Sequence, residues 1–80
     1  MIARNVVSSA ATRAGYGLAV ARTVGRNSAA LRRAMFDRDG WLTGLLNAAD
    51  CRTLNRACLT VGTPRRVQLT DAGRALAARL

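Results

Sequence analysis

The side chains best equipped for chemistry in this sequence are its arginines. All thirteen basic residues are Arg, with no Lys and no His, and the four acids are all Asp, giving a net charge of +9. A GC-rich genome favours Arg over Lys codons, but it supplies Asp as readily, so the surplus of positive charge needs another cause. The guanidinium is permanently charged and presents a planar fork of donors that matches phosphate oxygens. A strongly basic small chain also attracts polyanions from a distance. Ribosomal, membrane-surface and DNA-binding roles all share this feature, and nucleic acid is the first expectation.

Other chemistries lack their residues. General acid–base catalysis draws on His, Glu or paired carboxylates. Here Asp37, Asp39, Asp50 and Asp71 form no recognisable motif, and Ser8, Ser9 and Ser28 have no adjacent base. The chain is therefore expected not to be an enzyme. Cys51 and Cys58 make no C-x-x-C pair, and with no His they offer too few ligands for zinc or a dithiol redox centre. Free thiols in a reducing cytoplasm and no cofactor are expected. No apolar run of about 18 residues is present, so no membrane span is expected.

The arginines must be positioned by a small scaffold. Eighty residues suit one domain spanning 1–80. Half the residues are hydrophobic, but much of that half is Ala, and Tyr16, Phe36 and Trp41 are the only aromatics. So thin a core leaves room for stabilisation by a bound partner or by a second copy in a homodimer.

Residues 2–14 read as a weak helix, within an N-terminal helix or flexible arm over 1–15, and Gly15 and Gly17 break the pattern. Leu18 to Val24 is helical again, with Gly25 placed where a helix ends in a left-handed residue. Asn27 and Ser28 are good N-caps and lead into a helix over 28–36, with Ala30, Leu31, Ala34 and Met35 on one face. Trp41 to Leu46 reads as a strand, and Asn47 to Arg56 as a loop or one further helical turn. Ala57–Val61 and Arg65–Leu69 flank Gly62-Thr63-Pro64 as a hairpin, with Val67 and Leu69 alternating with polar residues. Thr70-Asp71 caps a last helix to Leu80.

Helix, turn, helix, strand, hairpin, helix is the order of a winged helix-turn-helix: mainly α with a small β-hairpin. A helix-turn-helix spans residues 18–40, a wing 41–69 and a C-terminal helix 70–80. The turn needs a small residue on the first helix, a Gly at positive φ four residues on, and an apolar residue about six further. Ala21, Gly25 and Leu31 stand at those spacings. Residues 28–36 are then the recognition helix, whose N-terminal part enters the major groove of duplex DNA. Arg26, Asn27 and Ser28 fall near the backbone and first base edges. Arg32 and Arg33 are candidates for bidentate contact with guanine, and Arg65 and Arg66 for wing contacts to phosphate.

Two segments carry a family resemblance. Gly25-Arg26-Asn27-Ser28-Ala29-Ala30-Leu31 through Asp37-Arg38-Asp39-Gly40-Trp41-Leu42-Thr43 resembles the recognition helix and first wing strand of the multiple-antibiotic-resistance-regulator family. Val67-Gln68-Leu69-Thr70-Asp71-Ala72-Gly73-Arg74-Ala75-Leu76 resembles its second wing strand and following helix, where Leu-Thr-x-x-Gly recurs. Thr70 caps that helix, and Gly73 permits a close approach to the wing. The chain departs from the family in placing Asp50-Cys51-Arg52 far upstream of Leu69-Thr70, which makes the wing long. It is also too short to hold in full the helices through which the family dimerises. The resemblance implies DNA binding in a small transcriptional regulator, bacterial or phage-encoded and cytoplasmic, and not the family's ligand response.

One segment fits a different role. Residues 1–36 hold six Arg, several Ser and Thr and no acid, the composition of an organellar transit peptide. That leaves open the alternative of a small basic subunit in a larger assembly, ribonucleoprotein or mitochondrial.

Overall fold

The computed structural model describes residues 6–80. Within them the elements run α1 (Ser9–Arg13), α2 (Leu18–Arg26), α3 (Ser28–Phe36), α4 (Ala48–Arg56), β1 (Thr60–Thr63), β2 (Arg66–Leu69) and α5 (Asp71–Ala77). The architecture is mainly helical with a two-stranded antiparallel hairpin.

The Ser8 hydroxyl accepts from the Ala11 N–H and starts α1, which is shorter than the helix expected over 2–14. The part of that expectation before Val6 lies outside the described residues. Gly25 departs from its expected role. It lies inside α2 rather than at a left-handed turn, and Asn27 alone links α2 to α3. A Cβ at Gly25 would strike the Val6 carbonyl, so the missing side chain serves a close approach of the N-terminal segment and not a positive φ. Ala21 and Leu31 are buried, as the spacing required.

α3 forms where it was expected, burying Leu31 and Ala34 with Ala30 and Met35 packed beside them. Its last turn is closed from across the fold, where the Arg74 guanidinium donates to the Met35 carbonyl at 2.8 Å. A cation there complements the negative end of the helix dipole.

The expected strand over 41–46 is reduced to one bridging residue, Trp41 opposite Gln68. The Leu69 N–H donates to the Gly40 carbonyl (2.8 Å) and the Leu42 N–H to that of Val67 (2.9 Å). Gly44, at φ +84°, then interrupts the extended run. Asn47–Arg56 contains neither a loop nor a single turn but the nine-residue helix α4, so a helix occupies the middle of the expected wing. The Asn47 side chain caps it by accepting from the Ala49 and Asp50 N–H groups, and Asp50 in the first turn favours the positive helix end.

α4 ends in a Schellman arrangement: Leu59 N–H donates to the Leu54 carbonyl and Cys58 N–H to that of Asn55. Cys58 takes the left-handed position at φ 62°, where glycine is usual. The hairpin pairs Thr60 with Leu69 and Thr63 with Arg66, so its turn is Pro64-Arg65 and not the expected Gly62-Thr63-Pro64, and Ala57 to Leu59 close α4 instead of starting β1. Thr70 caps α5 by accepting from the Gly73 N–H, and Gly73 rests against the Leu59 carbonyl with no room for a Cβ. α5 ends at Ala77 rather than Leu80.

Four of the core residues are alanines: Ala11, Ala21, Ala34 and Ala77. Ala11, Ala21, Val24, Leu31 and Ala34 all lie in the acid-free first 36 residues, so removing that segment as a leader would take out a large part of the core.

Two substitutions test this packing by denaturant unfolding. Gly73→Ala must displace the Leu59 backbone and is expected to cost about 1–3 kcal/mol. Cys58→Gly relieves a left-handed non-glycine residue, worth roughly 1–2 kcal/mol. Against that stands the entropic cost of glycine, roughly 0.5–1 kcal/mol, so the variant is expected to equal or exceed the parent.

Candidate nucleic-acid interface

The hairpin turn carries two exposed guanidinium groups. Side chains alternate across a strand, so Trp41, bridged to Gln68, and Arg66, two residues earlier on β2, share the outer face. The Arg66 guanidinium lies 4.6 Å from the Trp41 ring centroid, a cation–π contact that holds the charge in place. Arg65, Arg66, Trp41 and Leu42 line one shallow hollow at this tip.

α4 lies directly beside the hairpin. Asn55 Nδ2 donates to the Gly62 carbonyl at 2.9 Å, and the Thr60 hydroxyl donates to Asn55 Oδ1 at 2.6 Å. β1 therefore returns along α4, and the tip comes to its N-terminal end, where the Leu46 N–H donates to the Pro64 carbonyl at 3.0 Å. α4 buries Cys51 and Leu54 and leaves Arg52 and Arg56, four residues apart, exposed on its free face.

Two of the residues expected near the start of a recognition helix, Arg26 and Asn27, have internal partners. Arg26 pairs with Asp50 Oδ1 at 2.8 Å, and Asn27 Nδ2 donates to Asp50 Oδ2 at 3.0 Å and to the Thr23 carbonyl at 2.8 Å. Asn27 is thus spent on tying the α2–α3 link to α4, and its side chain does not cap α3. Ser28 is half-buried. Burial raises the Asp50 pKa, but the hydrogen bonds from Arg26 and Asn27, with the Arg26 charge, outweigh it and hold the carboxyl below its ordinary value. Asp37 is also lowered, chiefly by the Trp41 N–H it accepts at 3.0 Å, against some desolvation, with the Asp39 N–H adding to the effect.

Arg32 and Arg33 are exposed on the outer face of α3, where they line a hollow with Ala29 and Phe36. That hollow shares no residue with the one formed by Arg65 and Arg66. The seven expected residues therefore fall into three groups: Arg26 and Asn27 in a tether to Asp50 with the half-buried Ser28 next in the chain, Arg32 and Arg33 in a patch on α3, and Arg65 and Arg66 in a patch at the hairpin tip. Among the described residues the Arg26–Asp50 bridge is the one ion pair, so Arg32, Arg33, Arg52, Arg56, Arg65 and Arg66 have no carboxylate partner there.

Sequence reasoning missed Trp41 as the support of Arg66, Phe36 as a surface residue, and α4 with Arg52 and Arg56. Phe36 was legible in the helical spacing, since it falls three and four residues after Arg33 and Arg32 and off the Leu31–Ala34 face. α4 was signalled by Asn47, a favoured N-cap residue, with an acid, Asp50, in the first turn after it.

No group of three metal-ligating side chains gathers among the described residues, and no helix there is long and apolar enough to cross a membrane. Comparison with protein-family models, with curated proteins and with solved structures yields no match to this chain.

The Asp50 tether has a pH signature. Its folded pKa lies below its unfolded value, so its stabilisation is complete above the unfolded value, about 3.9. It is lost as the pH falls through the folded one. Asp50→Asn is expected to remove that part of the acid-unfolding profile, while Arg26→Ala, at a half-exposed pair, costs roughly 0.2–1 kcal/mol and less in high salt.

Proposed function

We propose that this chain binds duplex DNA as a winged helix-turn-helix variant, in the role of a small transcriptional regulator. The hairpin tip contacts the phosphate backbone, and α4 faces the major groove in place of α3. The observation that carries this reading is the unit of a basic helix followed at once by a hairpin packed along it, with the unneutralised Arg65 and Arg66 at the turn beside the helix's N-terminal end. An α-helix fits the major groove, and recognition helices contact bases mainly through their N-terminal residues. At that end of α4, Ala48 and Ala49 are small and exposed, and Arg52 follows on the free face. The Leu-Thr-x-x-Gly resemblance in 69–73 supports the same assignment of β2 and α5 to a wing and its following helix.

Fluorescence anisotropy on labelled duplexes at varied salt tests it. Five or six arginine–phosphate contacts are expected to give a log–log slope of about −5. Arg66→Ala should weaken every duplex alike and reduce the slope by about 1, while Arg52→Ala should relax sequence preference. A shallow slope with sequence-blind binding would reject the reading in favour of a basic assembly subunit. Relaxed preference in Arg33→Ala but not in Arg52→Ala would return the groove to α3.

A further inference from the structure

The outer face of α3 carries a feature that duplex binding by α4 and the hairpin does not use. Phe36 is 80% exposed, the most exposed of the large hydrophobic side chains described. It stands on the last turn of α3, one turn beyond Arg32 and Arg33, and the three residues line a single hollow with Ala29. Residues three and four apart are neighbours on a helix surface, with Cβ atoms about 5–6 Å apart. Both arginines therefore neighbour the ring on the same face, one turn toward the N-terminal end of α3. Neither arginine has a carboxylate partner among the described residues.

The electrostatics of this end of α3 are unusual. A helix C-terminus carries negative partial charge and repels an anion. Here the Arg74 guanidinium lies on the Met35 carbonyl at 2.8 Å and masks that charge. The nearest acid, Asp37, has a carboxylate oxygen turned to the Asp39 and Trp41 N–H groups. The face thus combines a flat apolar ring with unopposed positive charge, on a turn held rigidly from across the fold.

We propose that Phe36, Arg32 and Arg33 form a separate site for single-stranded nucleic acid, with one unpaired base stacked on the Phe36 ring and the flanking phosphates on the two arginines. Stacking on an aromatic ring beside a positive track is how single strands are bound without sequence preference. An amphipathic peptide would call for a stripe of several apolar anchors along the helix. This face has one aromatic ring, with Ala29 and two arginines around it. The chemistry suits single-stranded DNA and RNA alike, and paired oligothymidylate and oligouridylate probes, which differ in the sugar 2′-hydroxyl and the base 5-methyl, separate the two sources.

The test is anisotropy with short labelled oligothymidylate and oligouridylate, with a duplex measured in parallel. Phe36→Ala is expected to weaken single-strand binding about tenfold or more and to leave duplex affinity unchanged, while Phe36→Tyr keeps both. Arg32→Gln with Arg33→Gln should weaken single-strand binding and flatten its salt slope by about 1.4. Because Phe36 is a surface residue, Phe36→Ala should fold normally, as its circular dichroism spectrum will show. Unchanged single-strand affinity in Phe36→Ala overturns the proposal, as does an equal loss on duplex and single strand. Equal loss of polyglutamate binding, which offers charge without bases, would assign the face to an acidic protein segment and overturn it too. This proposal and the duplex reading fail separately, since one is read from Phe36→Ala on single strands and the other from Arg66→Ala on duplex.

Discussion

The fold depends on β2 being hydrogen-bonded along both edges. One edge pairs with β1 from Thr60 to Thr63, and the other takes the Gly40–Leu42 segment through the Gly40 carbonyl and the Leu42 N–H. A two-stranded hairpin is marginal in water without further support. Here the third segment supplies part of that support, and α4 and α5 supply more through Asn55 and Gly73. Because Gly40–Leu42 follows directly on α3, the same pairing fixes where α3 ends and where Trp41 sits. The placement of the arginine-bearing surfaces is thus set by backbone bonds, which suits a chain with few large side chains to spend on packing.

Charge is distributed by a second constraint, the internal use of two of the four acids. Asp50 joins α4 to the α2–α3 link, and Asp37 closes the turn that leads into Trp41. Both are engaged with donors of the protein itself, which leaves the exposed arginines of α3, α4 and the hairpin without neutralisation among the described residues. Arg74 of α5 differs from them, since its guanidinium is committed to the end of α3. A net charge of +9 is therefore expressed as separate bare faces rather than as a general coating of ion pairs.

Much of this was legible in the sequence, and the failures have physical causes. α3, the hairpin and the Thr70 cap carry strong local signals: helical spacing around Leu31 and Ala34, alternation around Val67 and Leu69, and a hydroxyl three residues before Gly73. α4 was obscured because its polar run, Asp50 to Arg56, buries only Cys51 and Leu54 and shows little apolar periodicity. Gly25 misled because glycine serves two ends, positive φ and close contact, and only the position of Val6 decides between them. At the site, the exposure of Arg32, Arg33, Arg52, Arg56, Arg65 and Arg66 followed from their type, but their division into separate patches did not. That division depends on the turn at Asp37–Gly40, closed by the Asp37 carboxylate and by Gly40 at φ +77°, which leads the chain from α3 into the Trp41 segment.

The contact between Arg66 and Trp41 has a consequence for how the molecule can be observed. The chain contains a single tryptophan, and a guanidinium lies over its ring at the hairpin tip. Indole emission responds to a neighbouring cation and to water at the ring. The protein therefore carries a native optical reporter at the tip, where in the proposed duplex contact a phosphate would compete with the ring for the Arg66 charge, and occupancy of the tip can be followed without attaching a dye.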